Sequence, residues 1–88
     1  MKIDYKITEY FEKNNLFSND VREGLKVKAI SDSLSITGSP RDLIELADLL
    51  VNIAQDQPKG AHLHIDELTL LNNDSDFKEI IIEKTSNE

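Results

Sequence analysis

The chain has 88 residues, enough for one small domain with room for a single helical layer on a single sheet. Its 17 acidic and 10 basic side chains leave a formal charge of −7, which argues against nucleic acid or anionic lipid and suits a basic partner. It has no cysteine, which excludes a disulfide framework, a thiolate nucleophile and cysteine-based zinc sites.

The opening MKIDYKITEY carries charges throughout and has no apolar signal core. The longest apolar runs, Leu49–Val51 and Ile80–Ile82, are far too short to span a bilayer. A soluble chain in the cytoplasm is expected. Residues 1–23 form an N-terminal extension with two readings. Ile3, Ile7, Tyr10 and Phe11 fit a helical face, while Ile3, Tyr5 and Ile7 fit a strand. The preferred reading is a short helix over residues 5–13 that packs Tyr10, Phe11, Leu16 or Phe17 on the core.

In GLKVKAI, residues 24–30, Leu25, Val27 and Ala29 alternate with Lys26 and Lys28, the pattern of a half-buried strand. After the turn SDS, the run LSIT puts Leu34 and Ile36 inward and Ser35 and Thr37 outward, which completes a β-hairpin. GSPRDLIELADLLVNIAQDQPKG then starts a helix. Ser39 is an N-cap, Pro40 suits the first helical position, and Asp42 stands where a capping acid belongs. Arg41, Glu45, Asp48, Asn52 and Gln55 form one narrow polar stripe. Leu46 and Leu50 lie on the broad apolar arc and are expected to be buried. Pro58 and Gly60 close the helix, which spans residues 40–56.

HLHI is the third strand and DELTLLNNDSD, residues 66–76, an acidic connection. FKEIIIEK, residues 77–84, is the last strand, and residues 85–88 are a disordered tail. The expected fold is α+β: a ββαββ core over residues 24–84 within one domain. Its four-stranded antiparallel sheet, in the order 2-1-3-4, is covered on one face by helix 40–56.

AHLHID poses the chemical question. On a strand, His62, His64 and Asp66 point the same way, opposite Leu63 and Ile65. Glu79 and Glu83 on the last strand then reach the histidines as cross-strand pairs. A small metal- or ligand-binding enzyme using His62, His64 and Asp66 is one reading. Zinc, however, needs three or four ligands with their own supporting partners, and acid–base chemistry needs a pocket that excludes water. The bland reading is a solvated strand face. There is no Gly-rich phosphate loop and no serine elbow; Gly24, Gly38 and Gly60 each fit a turn. No catalytic residue, cofactor or metal is assigned. A generic adaptor or oligomer subunit remains a further alternative, suggested by the wide apolar arc of the helix.

The run SLSITGSPRDLIELADLLVNIA, followed by AHLHID and then EIIIEK, resembles the thirty-second numbered family of immunity proteins from bacterial polymorphic-toxin systems. The resemblance covers residues 25–84 and leaves the first 20 residues outside. It implies a non-enzymatic toxin inhibitor of the contact-dependent growth inhibition type. Such a protein neutralises a cognate toxin by covering its active site or an adjacent exosite. A nuclease toxin is basic because it must hold phosphate, so an acidic inhibitor suits it. The expected partner-binding residues are Asp66, Glu67, Asp74, Asp76, Glu79, His62 and His64, in a monomer or weak dimer that binds neither nucleic acid nor membrane.

Overall fold

A computed structural model describes residues 23–87. The short helix expected in the N-terminal extension lies outside the described residues. Strand β1 (Lys26–Ile30) pairs antiparallel with β2 (Ser33–Thr37). Ala29 faces Leu34 and Val27 faces Ile36 across the pair. The turn is only Ser31 and Asp32, and Ser31 takes a left-handed φ of 54°, as tight hairpins require.

Helix α1 (Pro40–Asp56) has the expected bounds. Ser39 and Asp42 make a reciprocal capping box. The Asp42 amide donates to Ser39 Oγ at 3.2 Å, and the Ser39 amide donates to Asp42 Oδ2 at 3.3 Å. Asp42 is fully buried in this arrangement. At the other end Lys84 Nζ donates to the Gln57 carbonyl at 2.7 Å and satisfies an oxygen the helix leaves over. Strand β3 (His62–Asp66) pairs antiparallel with β4 (Glu79–Glu83). Bonds between Gly60 or Ala61 and Lys84 continue that pairing past its end, and Asn87 Oδ1 in the C-terminal tail accepts from the Lys59 amide.

The expected single sheet with order 2-1-3-4 is not what forms. There are two separate two-stranded sheets, β1–β2 and β3–β4. The edge of β1 that β3 was expected to take is filled by residues 70–76. Leu25 N–H donates to the Leu70 carbonyl at 2.7 Å, and Asn72 N–H donates back to the Leu25 carbonyl at 2.8 Å. Asp76 N–H donates to the Val27 carbonyl at 2.8 Å. Side chains take the next places: Val27 N–H donates to Ser75 Oγ at 3.0 Å and Ala29 N–H to Asp76 Oδ2 at 2.7 Å. With those groups satisfied, β1 offers no ladder to β3. Accordingly the histidines of β3 and the lysines of β1 do not share one continuous sheet face.

Gly24 permits this close approach. It has φ +87°, and a Cβ there would meet Leu70 O at 2.9 Å and the Asn72 amide nitrogen at 3.0 Å. Gly38 is tight for a different reason: a Cβ would lie 2.8 Å from Leu25 Cδ2, where the chain turns from β2 into α1.

The core is where the connection meets both hairpins. Leu25, Val27, Ile65, Leu70 and Leu71 are buried together, with Leu46, Leu49, Leu63, Ile80 and Ile82 packed around them. Two inward expectations fail. Leu34 and Ile36 are 59% and 43% exposed, because the buried cluster takes in Leu25 and Val27 but does not extend across the pair to β2, leaving Ile36 open although it stands opposite Val27. Leu50 is also exposed; α1 turns Leu46, Leu49 and Ile53 towards the interior instead.

Gly24→Ala should therefore cost more than about 1 kcal/mol, through strained φ and the collision with the 70–72 backbone. Ile65→Ala should cost roughly 2–5 kcal/mol, whereas Leu50→Ala should stay under about 1 kcal/mol. Urea midpoints at unchanged m-value measure all three.

Candidate functional site

Between His62 and Glu83 the sequence places six carboxylates and one lysine, Lys78. This is the most acidic part of the described chain, and strand alternation orders it. With Leu63, Ile65, Ile80 and Ile82 turned to the core, the other face of the β3–β4 hairpin displays His62, His64, Asp66, Glu79, Ile81 and Glu83.

The two histidines are engaged on that face. His62 Nε2 lies 2.6 Å from Glu83 Oε1, directly across the pair. His64 Nδ1 lies 3.0 Å from Glu79 Oε2, on the diagonal. The imidazole rings stand 6.1 Å apart, edge to face. Asp66 and Glu79 are directly opposite each other, a like-charge pair that would destabilise the ladder if both reached the same space. The hydrogen bonds draw them apart, Glu79 to His64 and Asp66 into its own turn. Asp66 Oδ1 accepts from the Leu68 amide at 3.0 Å and from Thr69 Oγ1 at 3.3 Å. Its carbonyl accepts from the amides of Thr69, Leu70 and Leu71. Residues 66–71 are thus wound on Asp66, which sets the direction of the whole connection.

The remaining loop carboxylates divide by role. Asp76 holds the Ala29 amide and stands 3.8 Å from Lys28 Nζ. Asp74 is 3.7 Å from the same ammonium but much more open to solvent. Glu67 is exposed and, with Asp76, lines a cleft of about 340 Å³ whose other walls include Leu71, Asn72, Phe77 and Lys78. So the seven expected residues do not form one cluster. His62, His64, Asp66 and Glu79 share the hairpin face, Glu67 and Asp76 share the cleft, and Asp74 joins Asp76 at Lys28. Among the described residues no group of three or more His, Asp or Glu is arranged to hold a metal ion.

Three apolar residues join the carboxylates, and they had not been assigned to the site. Leu68 is 90% exposed at the turn wound on Asp66. Phe77 is exposed at the wall of the cleft, and Ile81 is exposed between the two histidine–glutamate pairs. Alternation around Ile80 and Ile82 implied the outward position of Ile81. The β-branched pattern places Phe77 in the last strand, but β4 begins only at Glu79. Nothing in the local pattern marks Leu68. Apolar anchors ringed by charge are the usual anatomy of a protein-binding surface, and such patches carry most of the binding energy.

A model of the Immunity protein 32 family matches residues 33–85, more than half of the chain. No curated protein and no solved structure matches it. The matched span runs from β2 to the end of the β3–β4 hairpin and contains every residue of this surface.

The carboxylates should separate by stability. Asp76→Ala leaves the Ala29 amide without its acceptor and should cost about 0.5–1.5 kcal/mol. Glu67→Ala and Asp74→Ala should stay within about 0.5 kcal/mol of the wild type. Equilibrium denaturation of the three variants sorts carboxylates that hold the loop from those free to act on a partner.

Proposed function

The chain belongs to the Immunity protein 32 family, and on that premise we propose that it binds a cognate toxin domain and silences it by covering the active site or an adjacent exosite. The surface that does so is the face of β3–β4 together with the 66–78 connection. The observation that carries this reading is the exposure of Leu68, Phe77 and Ile81 within an acidic surface whose backbone is tied down. Burying such side chains on a partner recovers the free energy that folding alone leaves unused. The surrounding Glu67, Asp74, Glu79 and Glu83 favour a basic partner, and a nuclease domain has that character because it must hold phosphate. The protein acts by binding, without catalysis of its own, in the cytoplasm of the cell it protects, against a toxin delivered by contact with a neighbour.

The two kinds of side chain act on different rate constants. Rim charges steer encounter, so Glu67→Lys and Asp74→Lys should slow association, and the wild-type on-rate should fall as salt rises. Apolar anchors hold the complex once formed, so Phe77→Ala or Leu68→Ala should raise the off-rate, by roughly 2 kcal/mol or more at a hot spot. The experiment is co-expression with the toxin domain encoded beside it, followed by surface plasmon resonance on the purified pair. Growth rescue with a stable complex that loses affinity in these variants is the expected result. Rescue with no detectable complex would sink the binding mechanism. A complex indifferent to all four substitutions would place the interface elsewhere.

A further inference from the structure

We propose that the outer edge of β2 is a self-pairing surface, on which a second copy of the chain adds antiparallel about a two-fold axis through Ser35. This inference is independent of the toxin reading, because it concerns the opposite hairpin.

The backbone gives the first argument. Along β1, the amides of Leu25, Val27 and Ala29 are spent on the 70–76 side. The amides and carbonyls of Lys26 and Lys28 therefore face β2, and their partners there are Thr37 and Ser35. By the same alternation Leu34 and Ile36 turn their N–H and C=O groups outward. Among the described residues no strand pairs with that edge.

The composition of β2 gives the second argument. An edge strand is normally protected by a charge, a proline or a bulge. The run Ser33–Thr37, SLSIT, has no charge and no proline, and its register with β1 is unbroken. Its two apolar side chains are the exposed Leu34 and Ile36.

The third argument selects the occupant. The pattern hydroxyl, apolar, hydroxyl, apolar, hydroxyl reads the same in both directions. Antiparallel pairing centred on Ser35 sets Leu34 opposite Ile36 of the second copy, and Ser33 opposite Thr37. The residues whose backbone groups point outward are then those facing each other, so four hydrogen bonds close with no bulge. On one face the apolar side chains meet apolar side chains. Charge agrees: residues 25–37 hold two lysines and one aspartate in a chain of net charge −7, so two copies repel least here. A pair of five-residue strands is a small interface and belongs to the weak end of the scale.

The test uses the full chain, which has no cysteine of its own. Sedimentation of the wild type from about 1 μM to 1 mM should show a monomer–dimer equilibrium. Leu34→Lys, at an exposed side chain on the pairing edge, should weaken it by about tenfold or more. Ser35→Cys should oxidise to a disulfide-linked dimer, because directly opposed residues in a non-hydrogen-bonded antiparallel pair lie within disulfide range. Ser33→Cys, which faces Thr37 rather than itself, should not. A monomer throughout that range overturns the proposal, as does a dimer indifferent to Leu34→Lys or one that cross-links equally well through Ser33.

Discussion

Residues 70–76 zip onto the free edge of β1, and the rest of the structure depends on that contact. It satisfies the outward amides of Leu25, Val27 and Ala29, places Leu70 and Leu71 in the core, and fixes the connection whose other side meets solvent. Only one ladder-like backbone exchange, at Leu25, and a single backbone bond to the Val27 carbonyl resemble a strand. Ser75 Oγ and Asp76 Oδ2 supply acceptors where a third strand would have supplied carbonyls. A chain of this size has little core to spare, and this arrangement lets a connection act as structure on one side while its other side stays open to solvent.

That double use explains the charge. The carboxylates within residues 66–76, all expected to bind a partner, are divided by the structure. Asp66 winds the turn and Asp76 caps β1, while Glu67 and Asp74 are left to solvent and to Lys28. Anchoring the acidic connection by its own carboxylates holds the remaining charges and the exposed Leu68 and Phe77 in place. A surface ordered before encounter loses less conformational entropy on binding. The chain belongs to a family of immunity proteins, and the toxin contact proposed for it would use this stiffened loop and one face of a hairpin.

Much of this was legible in the sequence, for identifiable reasons. Ser39, Pro40 and Asp42 mark the start of α1 because capping chemistry is local, and the bounds 40–56 follow. Period-two alternation locates the first three strands and β-branched isoleucines the fourth, and together they turn His62 and His64 towards Glu83 and Glu79. The sheet order was not legible. It depended on which segment would satisfy the free edge of β1, and the successful competitor, LLNNDSD, has no alternation to announce it. Its bonds are made by a serine and an aspartate whose patterns look like ordinary turn chemistry. The exposure of Leu34, Ile36 and Leu50 was hidden for the same reason: inward and outward are legible along one element, but how far the neighbouring layer extends is not.

Amide hydrogen exchange followed by NMR tests the central contact most directly. If residues 70–76 close the edge of β1, the amides of Leu25, Val27 and Ala29 are protected together, well above the exposed turn at residues 31–32. Asp76→Ala then releases Ala29 while leaving Leu25 protected. Exchange of Val27 and Ala29 at the rate of unpaired loop amides, or protection of Ala29 unaffected by Asp76→Ala, would contradict the account.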